Sequence, residues 1–560
     1  MIDTSISSCA NSNASLGIDQ ACFTWEAYTV CIHIYTILKS IYIYQTHGTG
    51  VPLATLTPKS NTSLIISTKY PLHIYYQTVE PHKNYEYCHT TYTFKEYGSY
   101  GWNISSADIC SNIYVIHEPR NSYFPILTAF MIYMLLAVTW TTSKVIIRVI
   151  RGKLSPNNVY DVGINTISRR ISYYLYYYRI AILLMIFVNN GGGKYVFFNH
   201  SAWFGLSVAD LILPWFAWIM GMSITISKRA ELRLTTSRVK ITLCCLRRSA
   251  ILILLGLMLN SIDSKSLNDL RFPGILQLLA VSYFICAILE TIFMKPHSQD
   301  ILLQFGRFAI FRDILDSWPQ WLIMAGIMTT HTLITFFLHI PNCPTGYFGP
   351  GGKYHYRGKY MNCTAGAAGY IDRLIFGNHT YSKIKDSIYG QILRYDPEGL
   401  MNTISAIFIV YLGVHAGKIL LLYYQGNARL IRWFLWAIFT GIIAGILCNF
   451  ESEGGVIPVS KRMMTLSYVL TCSSFAFLLY AILYFLIDYK QFWSGAPFIY
   501  AGINPIFLYV GHVLTKDLFP WAWNIAHPSH ASLLAMNLWT TTLWAIIAYL
   551  LYRKDIIITI

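Results

Sequence analysis

Long apolar runs separated by short polar loops dominate the chain after residue 122. Runs of about 20 residues are long enough for an α-helix to cross the hydrocarbon core of a bilayer. The pattern predicts about eleven spans, at 123–141, 175–190, 206–226, 241–260, 274–294, 318–340, 402–424, 431–450, 464–486, 496–515 and 532–552. We therefore expect an all-α polytopic membrane protein.

The first 122 residues follow a different pattern. Residues 29–44 and 64–79 carry β-branched residues and tyrosines at near-alternating positions, with turn-forming residues between them. Such spacing is typical of short β-strands. We predict a small β-sandwich-like domain at 1–122 ahead of the helices. The remaining units are expected at 123–142 (first transmembrane helix), 143–174 (polar linker), 175–554 (bundle, with a long loop at 341–400) and 555–560 (tail).

Basic residues predict the orientation of the chain in the membrane. Lys144, Arg148, Arg151 and Lys153 follow the first span at once. Short loops rich in Lys and Arg stay on the cytosolic side of a membrane. The linker and the tail are therefore expected in the cytosol, and the β domain and the 341–400 loop in a lumen.

Composition agrees with a membrane protein. Hydrophobic residues make up 54% of the chain and charged residues only 12%, about half the share found in soluble proteins. The formal charge of +16, from 42 basic and 26 acidic residues, is explained by the cytosolic loops. We expect the lipid bilayer as a partner and no nucleic acid.

Cysteines and glycosylation motifs cluster in the segments expected in the lumen. Cys343 and Cys363 share the long loop, whereas Cys88 and Cys110 lie near the end of the β domain. Both pairs are disulfide candidates in an oxidising compartment. Asn-X-Ser/Thr motifs there predict a glycoprotein and occur at Asn13, Asn61, Asn103, Asn362 and Asn378.

The loop after the second predicted span carries the residues best suited to chemistry. A histidine side chain can accept a proton from an amine or carry an acyl group itself, so His200 is a candidate for either role. The Asn189 amide can donate to an oxyanion. A histidine that only bonds its neighbours, and an asparagine that only ends a helix, are the alternatives.

Several phrases in this chain resemble those of the heparan-alpha-glucosaminide N-acetyltransferase family of lysosomal transmembrane enzymes. They include VNNGGGKYVFFNHSAW, VADLILPWFAWIMG, CPTGYFGPGG, YDPEGLMNTI, LGVHAGKILL and IPVSKRMMTLSYV, and the match runs from about Tyr178 to Lys554. The resemblance implies that His200 is catalytic. It also implies that acetyl-CoA supplies the acetyl group from the cytosol, without a metal, to terminal glucosamine of heparan sulfate in the lysosomal lumen. The sequence leaves a homodimer open.

Basic residues near the cytosolic end of one span are candidates for binding the phosphates of the coenzyme, although topology anchoring is the more common explanation for such residues. They are Arg238, Lys240, Arg247 and Arg248, with Lys418 as a further candidate. Asp210, an acid within an apolar span, is expected either to cap its helix or to orient the coenzyme arm. Ten residues correspond to about 15 Å along a helix, so we expect Asp210 not to contact His200.

Other charged residues are candidates for the acceptor sugar. Asp396 and Glu398 can bind an ammonium group, or simply provide an acidic start to the next helix. Lys461 and Lys194 can bind sulfate or carboxylate groups of a glycan.

Two departures from the family pattern leave other functions open. Leu175 and Leu278 stand where the resemblance calls for an Asp and an Arg. A catalytically weakened paralogue with a structural role is therefore one alternative. A solute transporter is another, because a bundle of about ten helices with glycine- and proline-interrupted spans also describes a carrier.

Overall fold

The computed structural model describes residues 18–558, except for 19, 28–37, 45–53, 57–62, 70, 81–82, 105–111, 155–175, 235–236, 263, 265, 295–311, 353–358, 382–388, 390–391, 452–453 and 493–497. The predicted pairing of Cys88 with Cys110 and most of the predicted linker fall outside the described residues.

Eight strands lie within the described residues of the N-terminal domain. They are β1 Gln20–Ala27, β2 Leu38–Tyr44, β3 Ala54–Leu56, β4 Ser63–Ser67, β5 Leu72–Glu80, β6 Lys83–Tyr92, β7 Ser99–Ile104 and β8 Tyr114–His117. One sheet has the order β4-β1-β7-β8 and the other β3-β2-β5-β6. The strand β1 runs parallel to β7 and antiparallel to β4.

Aromatic residues join the two sheets. The ring of Tyr92 in β6 lies 5.7 Å from that of Tyr100 in β7, and Phe94 packs edge-on against both Phe23 and Tyr100. Such edge-to-face contacts add to the free energy gained from burying apolar area. The β structure predicted for this region is confirmed.

Thirteen α-helices follow within the described residues: α1 Phe124–Leu154, α2 Tyr176–Asn189, α3 Val208–Leu234, α4 Arg238–Ser261, α5 Ile275–Phe293, α6 Arg312–Leu315, α7 Trp318–Phe337, α8 Gly366–Phe376, α9 Leu400–Leu422, α10 Gly426–Cys448, α11 Leu466–Tyr484, α12 Pro505–Leu514 and α13 His530–Arg553. A helix satisfies its own backbone hydrogen bonds, so apolar runs adopt this form in a membrane.

Seven of the described helices are long and apolar enough to span a bilayer, namely α3, α4, α5, α9, α10, α11 with its C-terminal extension to Tyr489, and α13. The multi-pass helical class is confirmed, whereas the predicted count of eleven is not. The helix predicted at 496–515 is interrupted, because α12 begins only at Pro505. The helix α1 continues to Leu154, well beyond the predicted end at residue 142.

The long loop between α7 and α9 is held by a disulfide. Cys343 and Cys363 form a disulfide, which was predicted from their shared position in a loop expected on the lumenal side. The bond lies just ahead of α8, whose Asp372 accepts a hydrogen bond from the first backbone N–H of α9. The loop is therefore a folded part of the bundle.

The centre of the bundle is formed by α3 and α9, which approach each other through glycines. A Cβ added to Gly413 would lie 1.7 Å from the carbonyl oxygen of Trp218, and one added to Gly221 would lie 1.9 Å from that of Val410. Lipid tails are as apolar as the side chains, so the hydrophobic effect does not drive helices together inside a membrane. Small residues at such crossings let two helix backbones touch, and this close packing stabilises the pair. The crossing fixes the position of α9, whose N-terminal end carries site residues described below.

We predict that Gly413→Ala lowers the free energy of unfolding by about 1–3 kcal/mol, because the added methyl group meets rigid backbone. Thermal unfolding of the detergent-solubilised protein measures this change. Gly326→Ala in α7 is the matched control, since its Cβ would meet no atom within 4 Å. Equal midpoints for wild type and Gly413→Ala would contradict the close crossing.

Candidate active site

A cavity of about 350 Å³ opens at one end of the bundle. Its polar wall contains Asn189, His200, Arg271, Tyr381, Glu398, Lys461, Arg462 and Tyr509, and its apolar wall contains Met185, Ile212, Phe216, Ile275, Leu279 and Pro505. A mostly apolar cavity with a few converging polar groups is typical of sites for small molecules. The cavity brings together residues up to 324 positions apart in the sequence, from Met185 to Tyr509. It is therefore formed by tertiary packing and not by local structure.

His200 contacts Asp210 directly, so the expectation that the two do not pair was wrong. The Nδ1 atom of His200 lies 2.9 Å from Oδ1 of Asp210. The error came from applying the rise of a helix to a segment that is not helical, because α3 begins only at Val208. Asp210 is therefore in the first turn of α3, facing the loop before it.

The loop between His200 and α3 is folded back by specific contacts. Trp203 is fully buried and donates from its indole to the carbonyl oxygen of Phe348 at 2.8 Å. Gly205 donates to the carbonyl of Val459, and Ser460 donates from its hydroxyl to the carbonyl of Trp203. These bonds join the loop to the segment that carries Lys461.

The Asp210 carboxylate is buried, and both of its oxygens have hydrogen-bond partners. Besides facing His200, it accepts hydrogen bonds from the backbone N–H groups of Ser201 and Ser207 and from the Ser207 hydroxyl. The bond to the Ser207 N–H is one half of a capping box at the start of α3. Helix capping, one of the two roles expected for Asp210, is thus observed together with the unexpected contact to His200.

Lys461 lies beside this pair. Its Nζ is 2.8 Å from Nδ1 of His200, 3.3 Å from Nε2 and 3.6 Å from Oδ1 of Asp210. Burial lowers the pKa of Lys461, although Asp210 and Glu398 oppose this shift. An ionised carboxylate only accepts hydrogen bonds, so the contact with Asp210 places a proton on Nδ1 of His200 and leaves Nε2 as the acceptor.

Asn189, at the C-terminal end of α2, reaches the same cavity. Its Nδ2 lies 3.0 Å from Nε2 of His512, and Nδ1 of His512 lies 3.2 Å from the carbonyl oxygen of Leu508. Since a carbonyl only accepts, His512 donates from Nδ1 and accepts at Nε2. The histidine thus orients the Asn189 amide, which keeps a second N–H for a ligand.

Arg271 organises the acidic side of the cavity. It makes a bidentate contact with Asp396, through Nε at 2.8 Å and Nη2 at 2.5 Å, and also donates to Glu398. Burial alone would lower the pKa of Arg271, but the two carboxylates raise it above its usual range. Buried charges of this kind persist only when they are paired.

Asp396 and Glu398 play different parts in this network. Asp396 is fully buried, and it also accepts from the backbone N–H groups of Tyr381 and Glu398. It therefore holds Arg271 and the turn. Glu398 lines the cavity, and burial raises its pKa although Arg271 opposes the shift.

Other predicted site residues are not brought to the cavity. Lys194 is exposed, and the four basic residues of α4 are exposed along its N-terminal half, with Arg248 stacked on Tyr283. Lys418 lies in the C-terminal part of α9, where its Nζ is 2.8 Å from Oε1 of the buried Glu290 and also contacts Gln320. It is thus engaged within the bundle and not offered to a coenzyme.

Sequence reasoning assigned no role to Arg271, Tyr381, Tyr509 or His512. Arg271 pairs with residues 125 positions away, and no local pattern reports such a contact. His512 is the last residue of the phrase YVGH, a histidine in an apolar run, and this was the available signal. Among the described residues, no group of three or more His, Cys, Asp or Glu is arranged to hold a metal.

A multi-pass helical bundle with an imidazole, a carboxylate and an oriented amide at one cavity defines a membrane-embedded enzyme of the acyltransferase class. Comparison with known proteins gives the particular family. Heparan-alpha-glucosaminide N-acetyltransferase of Mus musculus is 38% identical to the chain over 509 residues, covering 84% of the chain and 77% of the mouse protein. The Homo sapiens protein of the same name is 37% identical over 514 residues, with the same coverage. This chain belongs to that family. No family model matches it.

Asp372 supplies a test of the loop that supports Glu398. It is buried, it accepts from the backbone N–H of Leu400, and burial raises its pKa to about 7 despite that bond. Since its pKa is higher in the folded state than in the unfolded chain, Asp372 destabilises the fold progressively as pH rises from about 4 to 7.

We predict that Asp372→Asn removes this part of the pH dependence. The midpoint of thermal unfolding of the variant should exceed that of wild type by a margin that grows between pH 4 and pH 7 and is constant above pH 7. A margin independent of pH would show that Asp372 is ionised throughout.

Proposed function

We propose that this protein transfers the acetyl group of cytosolic acetyl-CoA across the membrane to the amine of terminal nonreducing α-glucosamine of heparan sulfate in the lysosomal lumen. The observation that carries the proposal is the contact of His200 with Asp210 beside Asn189 in one cavity, in a chain that belongs to a family named for this activity.

His200 supplies the proton chemistry. In one scheme the glucosamine nitrogen attacks the thioester carbon while Nε2 takes the amine proton, the carbon–sulfur bond breaks, and the coenzyme leaves as a thiolate that is then protonated. In the other scheme Nε2 of His200 attacks the thioester carbon, the carbon–sulfur bond breaks and the coenzyme leaves as a thiolate; the amine then attacks the acetyl-imidazole and the ring is released. Both schemes need Nδ1 held and Nε2 available, and the contact of Nδ1 with Asp210 supports this arrangement.

Asn189 stabilises the oxyanion that forms on the acetyl carbonyl. One well-aimed donor of this kind is worth on the order of 10²–10³ in rate. Because His512 accepts one N–H of the amide, the remaining N–H is preset and costs little reorganisation during the reaction.

The acidic side of the cavity suits the amine of the acceptor. Glu398 faces the cavity and can bind the glucosamine ammonium, while Asp396 acts through Arg271. Arg462 and Lys461 supply positive charge at the same mouth for acidic groups of the glycan, and exposed Lys194 can extend that surface.

The apolar wall suits the acyl end of the coenzyme. From Ala209 to Phe216 the wall follows α3 for about 10 Å along the helix. On this proposal the acetyl group enters among Met185, Phe216 and Leu279, and the coenzyme phosphates bind Arg238, Lys240, Arg247 and Arg248 at the opposite, cytosolic end of α4.

An assay of the purified protein tests the proposal. Wild type in detergent should acetylate a glucosamine acceptor when acetyl-CoA is supplied, and His200→Ala should lose at least about 10²-fold in kcat/KM, the loss expected when a proton-transfer group is removed. His339→Ala, an exposed histidine of the α7–α8 loop, is the matched control and should retain full activity. Acetylation by His200→Ala at the wild-type rate would overturn both schemes, and a wild type that only moves solutes across sealed vesicles would favour a carrier.

We predict that Asp210→Asn lowers kcat by on the order of 10²–10⁴, because a neutral amide no longer holds the protonated Nδ1 of His200. The KM for the glucosamine acceptor should change little, since Asp210 is buried behind the ring. Steady-state kinetics with varied acceptor separates the two constants. An effect confined to KM would instead place Asp210 in substrate binding.

A further inference from the structure

A histidine outside the proposed reaction joins the β domain to the loop that contains Gly191, Gly192 and Gly193, which we call the glycine loop. His530, the first residue of α13, is almost fully buried. Its Nδ1 lies 2.8 Å from the carbonyl oxygen of Gly193, and its Nε2 lies 2.9 and 3.0 Å from the two carboxylate oxygens of Glu96. Glu96 belongs to the turn between β6 and β7, so three distant parts of the chain meet at one ring.

The partners of His530 define its protonation. A backbone carbonyl only accepts hydrogen bonds, so Nδ1 must carry a proton. An ionised carboxylate also only accepts, so Nε2 must carry one as well. The ring therefore satisfies both neighbours only when the histidine–glutamate pair retains an additional proton, which is the state with an imidazolium and a carboxylate. Without that proton, the Nε2 lone pair faces two carboxylate oxygens.

Two tyrosine rings stack beside His530. The ring of Tyr195 stacks on it with centroids 4.4 Å apart, and Tyr123 stacks on Tyr195 in turn. Burial raises the pKa of Tyr195 to about 12, with Glu96 and Tyr123 adding to the shift, so its hydroxyl stays neutral and donates to the carbonyl of Ser122. His530 is at the N-terminal end of its helix, which disfavours a cation, so Glu96 is the group that stabilises it.

The carbonyl group that His530 bonds belongs to Gly193, which lies between Asn189 and His200 in the sequence. Gly193 is four residues after Asn189 and seven before His200, and it adopts a left-handed conformation with φ of 70°. A Cβ at Gly192 would lie 2.6 Å from Cβ of Phe198, so this loop has little freedom to adjust on its own. The bond between His530 and the Gly193 carbonyl adds a fixed point to this loop.

On the basis of the proposed function, we propose that Glu96 and His530 are positioning residues of the active site. The β domain thus contributes a side chain that holds the glycine loop, and with it Asn189 and His200, through a contact that requires one proton. The contact forms in an acidic compartment and is lost as pH rises.

Two variants of Glu96 and one control variant test this inference through the pH profile of kcat/KM. Glu96→Ala removes the partner of His530, and activity should fall by on the order of 10–100-fold at every pH, as expected for a small displacement of reacting groups. Glu96→Gln can instead donate from its amide to Nε2 of a neutral ring while Nδ1 still bonds Gly193. This variant should keep activity at low pH and retain it to higher pH than wild type. Glu118→Gln, an exposed carboxylate of the same domain, is the control and should match wild type.

If Glu96 had only a structural role, the Glu96→Gln variant would not keep its kcat/KM to a higher pH than wild type. Identical pH profiles for wild type and Glu96→Gln, or full activity in Glu96→Ala, would overturn the inference. Midpoints of thermal unfolding identify any variant that has lost its fold, and Glu96→Gln, which keeps the size of the side chain, remains decisive if Glu96→Ala has done so.

Hydrogen–deuterium exchange separates this inference from the proposed function. Backbone amides of residues 190–200 should exchange faster in wild type at high pH than at low pH, after correction for the intrinsic rate, and the increase should be absent in Glu96→Gln. If the proposed function fails, wild type will be inactive at all pH values and this exchange pattern will still be seen. Exchange independent of both pH and variant would reject the positioning contact itself.

Discussion

The structure depends on the rule that a charge removed from water has to be paired. Transfer of an isolated ion into a low-dielectric interior costs several kcal/mol even after relaxation, so each buried charge requires a partner at a fixed place. Asp210 is met by His200, Lys461 and the Ser207 turn, Arg271 by two carboxylates, and Glu290 by Lys418. The pairs of Asp210 with Lys461, of Arg271 with Asp396 and of Glu290 with Lys418 join segments far apart in sequence, and so specify how largely apolar helices are arranged.

These pairs lie at two levels of the bundle. Asp396 and Glu398 immediately precede α9, whereas Lys418 is near its other end, about 27 Å further along the helix axis. Between the two levels the helix is largely apolar, and its backbone contacts that of α3. The polar level next to the β domain contains the cavity and its ionisable groups. The level at the other end is closed by its own ion pairs, which explains why Lys418 is engaged internally.

The sequence predicted the elements better than it predicted their contacts. Apolar runs and alternating β-branched residues reveal helices and strands, because both periods are local. The His200–Asp210 contact was missed because it depends on a loop folded by Trp203, Gly205 and Ser460. The Arg271–Asp396 pair was invisible for the same reason. Interrupted spans were also missed, since hydropathy alone does not register the break before Pro505.

The glycine crossing of α3 and α9 has a mechanical consequence. Where two backbones are in direct contact, no layer of side chains between them can repack, so α3 and α9 move as one rigid unit. The opposite wall of the cavity is formed by the 10-residue α12 and by α2, of which 14 residues are described. On the proposed function, widening of the cavity to admit a sugar comes from tilting of α2 and α12, with the crossed pair of α3 and α9 as the fixed frame.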